Sequence, residues 1–420
     1  MRWTVAQEGS RQSYAIPIAF HRLGLLRLFY ADIWMRRGRG WLKRGPRGAR
    51  ALAGRYVREI PEDRVVSFNF AATLAKTWQH FRRGRQTPEG LGYSHCRFGR
   101  WFARKVLRHL ETVELDPDKD AFFGFDTNSL EVLEALKPRG VLTVLDQVDP
   151  GKVEEDMVIE EAERWPGWQK APGRMPAVYW ERRRAEWRVA DVVLVNSEWS
   201  REALMRQGVP GGKIVVIPLA IDLAGGPLAE PIEARGDLKV LWLGSVNLRK
   251  GVQYLIDAAR MLQERKIQFL LAGPLEISNP VVSALPGNMK VLGWVTRDQL
   301  SSVYRQAHVF VLPTISDGFA VTQLEAMAHG LPVVITPNCG RVVTDGVDGL
   351  IVPARDGKGL ADALARLDSD RKLVHEMSCE ALRTVRRYDL PSNARMIGEM
   401  AVEYRAALHA RLDRKPLALQ

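Results

Sequence analysis

Two doubly wound α/β domains facing each other across a cleft are the fold this sequence predicts. Three observations lead there. At 420 residues the chain exceeds what one typical hydrophobic core organises. From residue 238 onward, short β-type runs alternate with helical stretches, as in a mostly parallel sheet. A segment rich in Gly and Pro, Ala224 to Gly236, separates that half from a first half with similar but less regular alternation. The expected units are residues 1–223, residues 237–390, and a final helical segment, 391–420, packing back on the first domain.

In the first half, strands are expected at Arg2 to Ala6, Leu28 to Ala31, Val65 to Phe68, Phe122 to Phe125, Val141 to Leu145, Val192 to Asn196 and Lys213 to Ile217. Helices are expected near Arg97 to His109, Leu130 to Leu136, Val153 to Arg164 and Met175 to Val189. Trp165 to Pro176 (WPGWQKAPGRMP) breaks the helical pattern and reads as a loop near the cleft. In the second half, strands are expected at Lys239 to Leu243, Ile267 to Ala272, Met289 to Leu292, His308 to Leu312, Val333 to Thr336 and Leu350 to Val352. Helices fall between them at Val252 to Gln263 and Thr296 to Gln306, then at Gly357 to Leu367, Arg371 to Tyr388 and Asn393 to Leu412.

Composition narrows the class. Hydrophobic residues make up 46% and charged residues 26%, as in ordinary globular proteins. Three cysteines, Cys96, Cys339 and Cys379, lack metal-site spacing and form no disulfide framework, which suits a reducing cytoplasm. The opening residues read as a strand rather than a leader peptide, and no apolar run is long enough for a transmembrane helix. The net charge of +12 is unevenly placed. Residues 1–115 hold 23 Lys and Arg against 8 Asp and Glu, whereas the remainder holds 38 against 41. The excess lies at Arg36 to Arg58 and Arg82 to Arg108, interleaved with Trp34, Trp41, Trp78, Trp101 and Phe102. Such a surface suits an anionic substrate or the inner face of an anionic membrane. No nucleic-acid motif accompanies it, so nucleic acid is not the expected partner.

The most informative stretch is Ser316 to Val334 (SDGFAVTQLEAMAHGLPVV). A buried strand precedes it, a Gly-Phe loop follows, and a short helix then begins. The helix start points its unpaired N–H groups at the C-terminal edge of the sheet, where an anion is favoured and ligands of open α/β sheets bind. Asp317 and Glu325 bracket the loop. Thr322 followed by Glu325 also fits a capping box, and Asp317-Gly318 also fits a turn. Upstream, Gly244 and Ser245 end the first strand of this half, and Arg249 and Lys250 follow with the charge to hold a diphosphate. Gly273-Pro274 and Gly293-Trp294-Val295 close neighbouring strands at the same edge. Trp294 is read either as a stacking surface or, preferably, as packed against a neighbouring loop.

Taken together, LGSVNLRKGVQYLIDA, FLLAGP, VLGWV, the SDGFAVTQLEAMAHGLPVV block and TDGVDGLIVP resemble the retaining glycosyltransferases of family four, with the GT-B fold of two Rossmann-like domains. VLVNSEWSREALMRQGVPGGKIVVIPLAID resembles that family's end of the first domain. The resemblance implies a nucleotide-diphosphate sugar donor, a hydroxyl acceptor such as a lipid-linked glycan, and no cofactor or catalytic metal. It places Asp317 near the donor sugar, Glu325 on the ribose, and Arg249 and Lys250 on the leaving diphosphate. Gly318, Phe319, Ala320 and Val321 would offer backbone N–H groups, with Thr322 beside them. The sequence departs from the family in having Asp317 where Glu is usual and Ser245 where Arg is frequent. The family's first-domain histidine has no evident counterpart. Asp146, Gln147 and His21 are the polar candidates there, and Gly9-Ser10 is the loop expected to approach the diphosphate. A GT-B epimerase or phosphorylase, and a non-catalytic sugar-nucleotide-binding protein, are the alternatives.

Overall fold

The computed structural model describes residues 1–36, 39–42, 45, 52–73, 87–225 and 228–413. Much of the basic region singled out above, with Trp78, therefore lies outside the described residues. Two parallel sheets organise the chain. The first joins β1 (Arg2–Gln7), β2 (Leu26–Ala31), β3 (Val65–Ser67), β4 (Asp120–Phe125), β5 (Leu142–Gln147), β6 (Val192–Val195) and β7 (Ile214–Val216) in the order β3-β2-β1-β4-β5-β6-β7. The second joins β8 (Leu238–Leu243), β9 (Ile267–Ala272), β10 (Met289–Gly293), β11 (Val309–Leu312), β12 (Val333–Ile335) and β13 (Gly349–Ile351) in the order β10-β9-β8-β11-β12-β13. Both are the doubly wound α/β sheets expected, and every strand anticipated in each half is present.

The sheets are covered on both faces, so their central strands are mostly buried. β4, β5 and β6 are buried at every position. In the first domain the core stacks Trp3 on Phe20 at 4.8 Å, with Phe123 edge-on to both. In the second, Val240, Trp242, Phe269 and Val311 meet the helices Val252–Met261 and Gly357–Ser369.

Helices differ more from expectation. Ala15–Arg22 and Glu198–Arg206 were not anticipated, and Pro88–Leu110 begins well before Arg97. Thr87 caps the last of these by accepting from the Gly90 N–H at 3.2 Å, and Pro88 suits its first turn. Arg371–Thr384 stops short of Tyr388 because the chain tightens into a 3-10 turn at Val385–Arg387.

The last helix, Leu390–Asp413, crosses back onto the first domain. Leu390, Ala394, Ile397, Met400 and Ala401 join Ile16, Ala19 and Phe20 in one apolar cluster. Asn393 Nδ2 donates to Pro218 O at 2.7 Å, and the Tyr404 hydroxyl donates to Gly212 O at 2.9 Å. The linker is also docked: Ile232 N–H donates to Ser378 Oγ at 2.8 Å.

A second bridge between domains is a buried carboxylate. Glu161, on the first-domain helix Lys152–Arg164, is fully buried. It accepts from Gln253 Nε2 at 2.9 Å and from the Tyr254 hydroxyl, both on the second domain. Arg355 Nε lies 2.8 Å from its other oxygen. The Trp165 to Pro176 loop adds a third bridge, since Gln169 Oε1 accepts from Leu248 N–H at 3.0 Å and Ser278 N–H donates to Trp168 O at 2.6 Å.

Ile397→Ala is expected to lower stability by about 2–4 kcal/mol, the usual cost of a large-to-alanine cavity. Denaturant unfolding followed by first-domain tryptophan fluorescence measures it.

Candidate active site

The C-terminal ends of β8, β9, β10 and β11 lie side by side, and three are glycines with positive φ. Gly273 (φ +136°) is the most constrained: a Cβ there would lie 1.8 Å from Gly244 O. Its N–H donates to Gly293 O at 2.7 Å, while Gly244 N–H donates to Ala272 O at 2.9 Å. Any side chain at residue 273 would push these strand ends apart. Ser245 and Pro274 are half-buried at this edge. Trp294 is 61% exposed. Val295, its neighbour, packs on the second-domain core.

The loop after β11 is held from both sides. Thr314 Oγ1 and Ile315 N–H donate to Arg249 O, at 2.9 and 3.0 Å. Asp317 N–H donates to Asn338 O at 2.8 Å, and Ala320 N–H to Cys339 O at 2.9 Å. Ala320 is therefore not available as a backbone donor to a ligand, contrary to expectation; Gly318, Phe319 and Val321 remain candidates. The helix Val321–Ala328 starts where the sequence places it, but without the capping box. Its N-cap is Ala320, and no side chain caps it. Glu325 instead accepts from the Tyr304 hydroxyl at 2.9 Å, and Tyr304 also donates toward Thr322 O at 3.4 Å. The reciprocal Thr/Gln box occurs elsewhere, at Thr296 and Gln299.

Arg249 and Lys250 converge on Asp317. Lys250 Nζ is in direct contact with Asp317 Oδ2, and Arg249 Nη1 lies 3.7 Å from Oδ1. Arg249 also donates to Ser316 O at 3.2 Å. The first domain reaches the same loop. Glu154 Oε1 is 3.6 Å from Arg249, and its Oε2 accepts from Ser316 Oγ at 3.0 Å. Ser197 Oγ donates to Gly318 O at 2.6 Å, and Trp199 Nε1 donates to Ser316 Oγ at 3.1 Å. A Cβ on Gly318 would lie 2.4 Å from Val148 O. Glycine is required there because the two domains touch.

Burial drives Glu154 up to about 7, with Asp149 and Asp317 adding to the rise and Arg249 opposing it. Burial alone would lower the Arg249 guanidinium, but Glu154, Asp317 and Asp149 outweigh it and raise it above its ordinary value.

A cavity of about 770 Å³ opens between the domains, with Gln12, Ser13, Arg297, Ser301, Val321, Glu325 and His329 on its walls. Gln12, Ser13 and Tyr14 all have positive φ, at 46°, 56° and 68°. Three consecutive left-handed residues store strain at the start of the Ala15–Arg22 helix, facing the cleft. Gly9 and Ser10 precede this turn; Gly9 N–H donates to Asp32 Oδ1 at 3.0 Å. Among the described residues no three His, Cys, Asp or Glu cluster to hold a metal ion.

The first-domain candidates separate. Asp146 is buried near Arg11 and Asp126; burial raises it to about 7, Asp126 adds to that, and Arg11 opposes it. Gln147 is consumed structurally, donating to Asp149 O at 2.9 Å and accepting from Trp187 Nε1 at 2.8 Å. His21 occupies the last turn of its helix, the end away from the strand edge, and lines neither the large cavity nor the smaller one beside Arg249. Sequence reasoning missed Glu154, Ser197, Trp199 and Tyr304. Ser197 and Trp199 lie within the quoted VLVNSEWS segment, but nothing local marks their reach across the cleft.

Two family models match consecutive parts of the chain: Glycosyltransferase Family 4 over residues 47–224 and Glycosyl transferases group 1 over residues 237–370. The chain belongs to the group 1 glycosyltransferases. A phosphatidyl-myo-inositol mannosyltransferase of Mycobacterium leprae is 33% identical over 202 residues, 46% of this chain and 52% of that protein. A D-inositol 3-phosphate glycosyltransferase of Pseudarthrobacter chlorophenolicus is 30% identical over 208 residues, 43% of this chain and 48% of that protein. The chain thus spans about half the length of these curated relatives. Among solved structures, sucrose-phosphate synthase from Thermosynechococcus elongatus superposes with a TM-score of 0.65 at 18% identity, covering 97% of this chain and all of that one. Anabaena HepE in complex with UDP superposes at 0.60 and 16% identity, covering 96% and 100%. At such identities these structures establish the GT-B fold of the group 1 family.

Stability should fall as pH rises. Asp146 and Glu154 have folded-state values raised well above the ordinary carboxylate range. Their stabilisation is complete below about pH 4, where both states are protonated, and is lost as pH rises through about 7. The melting temperature is therefore expected to drop between about pH 4 and pH 7, and Glu154→Gln to remove part of that slope. Thermal unfolding across this range, for both proteins, checks it.

Proposed function

We propose that the protein is a retaining glycosyltransferase that moves a sugar from a nucleotide-diphosphate donor to a hydroxyl acceptor, without a catalytic metal or other cofactor. The observation that carries this reading is the convergence of Arg249 and Lys250 on Asp317, beside the start of the Val321–Ala328 helix. Two cations and a helix N-terminus at a strand edge form a site for a diphosphate. Without ligand, Asp317 neutralises the cations. When donor binds, its diphosphate takes over Arg249 and Lys250, and the freed Asp317 faces the sugar.

The reaction breaks the bond between the anomeric carbon and the diphosphate oxygen, with oxocarbenium character in the transition state. Negative charge grows on the departing phosphate, where preorganised cations stabilise it most. That phosphate takes the acceptor hydroxyl's proton on the same face, so configuration is retained. Gly318, Phe319 and Val321 offer N–H groups to the sugar and phosphates, while Glu325, oriented by Tyr304, holds the ribose hydroxyls. The base lies toward Gly273, Pro274 and Trp294. UDP is one nucleotide to test, since HepE is solved with it.

The acceptor binds on the first-domain side. Lipid-linked acceptors fit two features. One relative is named for transfer to a diphospho-undecaprenol-linked sugar. The first quarter of the chain carries the basic excess, and Phe70 (81%) and Tyr93 (50%) are exposed within it. Among the described residues no helix is long and apolar enough to cross a membrane. Peripheral attachment to the inner face of an anionic membrane is the localisation this reading gives.

Lys250→Ala and Glu325→Ala are each expected to cut transfer by about 10²–10³-fold while leaving the fold intact, as loss of a transition-state or donor contact does. Turnover on a panel of nucleotide sugars, with circular dichroism of each variant, measures this; near-normal turnover in both would reject the site. The protein should co-sediment with vesicles rich in phosphatidylglycerol and stay in the supernatant with phosphatidylcholine alone. Equal partitioning would reject membrane attachment.

A further inference from the structure

Arg249 and Lys250 stand on one short 3-10 turn, Leu248–Lys250, and the first domain holds that turn by its backbone. Leu248 is fully buried. The opening N–H groups of a helical turn find no partner inside it, and a buried one left bare is costly. Asn247 Oδ1 accepts from the Lys250 N–H at 3.0 Å, within the second domain. The Leu248 N–H goes elsewhere: it donates to Oε1 of Gln169, at 3.0 Å, on the first-domain loop Trp165 to Pro176.

That loop is fastened to the second domain around this bond. Trp168 O accepts from the Ser278 N–H at 2.6 Å, and Gln169 pairs with Ile277 as an isolated antiparallel bridge. Trp168 packs against the second-domain core. The root of the loop is fixed as well. Trp165 lies edge-on to Trp168 at 4.7 Å, and its indole N–H donates to Glu161 Oε1 at 3.1 Å. Glu161 reaches the other side of Leu248 through a relay. Gln253 Nε2 lies 2.9 Å from Glu161 Oε1 and 3.0 Å from Leu248 O, so one amide nitrogen donates to both.

The far end of the turn is set within the second domain. Arg249 O accepts from Thr314 and Ile315, and a Cβ on Gly251 (φ +77°) would lie 1.8 Å from Pro313 O. The near end is therefore the end that the first domain sets. A turn of three residues has little slack, so tilting the Leu248 peptide moves Arg249 and Lys250 with it. A displacement of about 1 Å in such groups is costly to binding and catalysis.

We infer that Gln169 is a positioning residue for the diphosphate site: a first-domain amide that sets the turn carrying Arg249 and Lys250. It acts through the Leu248 peptide. The inference rests on the proposed donor reading for the ligand of those two cations.

The experiment titrates the full chain calorimetrically with UDP, GDP and ADP and with the matching monophosphates. The wild type is expected to bind at least one diphosphate more tightly than its monophosphate. Gln169→Met keeps the length and removes the acceptor oxygen. It is expected to weaken that diphosphate about 3–10-fold, the scale of one lost hydrogen bond, and to leave the monophosphate unchanged. Gln169→Glu keeps an acceptor and is expected to retain the preference. Ser278→Pro removes the N–H that holds Trp168 O, at a φ of −71° that proline adopts, and is expected to act as Gln169→Met does. Far-UV circular dichroism reports folding, and if Gln169→Met does not fold, Ser278→Pro decides. A merely structural role would weaken both nucleotides together or neither, and either result overturns the inference, as does equal loss in the Met and Glu variants. A wild type with no preference for any diphosphate would overturn the donor reading itself, and the inference with it.

Discussion

A half-buried cation shared by two domains is the constraint around which this cleft is organised. Arg249 belongs to the second domain but lies between Asp317 of its own domain and Glu154 of the first domain. Removing such a charge from water is expensive unless carboxylates surround it. Closure of the domains supplies one of those carboxylates, so the electrostatics of the site and the packing of the interface are one problem. Ser316 ties them further: its hydroxyl donates to Glu154, its oxygen accepts from Trp199, and its carbonyl accepts from Arg249.

The interface away from the site is built differently. Glu161 is fully buried and accepts from Gln253, Tyr254 and Trp165 while pairing with Arg355. It gives orientation, since a buried carboxylate tolerates few alternative partners. The last helix and the docked linker fix the relation of the domains from the opposite side through apolar contact. Between these two supports lie the large cavity with Glu325 and the smaller one with Asp149 and Trp180.

Much of the fold was legible because a parallel sheet writes itself as short apolar runs. β9 was located to the residue, and β8, β11 and β12 to within one. Of the helices missed, one hides its local signal. Ala15–Arg22 carries Pro17 and begins from a left-handed turn, features that read locally as a loop. The capping box at Thr322 and Glu325 was a correct local pattern that tertiary structure overrode. Tyr304, 21 residues away in sequence, bonds the Glu325 carboxylate, leaving the helix start uncapped by any side chain.

By itself the sequence determined the two-sheet architecture, the family, and the second-domain cluster of Arg249, Lys250 and Asp317. Those residues lie on neighbouring strand ends of one sheet, and strand order follows from local pattern and short connections. The first-domain side was decided only by the tertiary structure. Glu154, Ser197 and Trp199 reach Arg249, Gly318 and Ser316 from more than 90 residues away, through contacts that depend on how the domains meet. No helical or strand period encodes that distance. The need for glycine at residue 318 is of the same kind, because the atom that forbids a side chain there, Val148 O, belongs to the other domain.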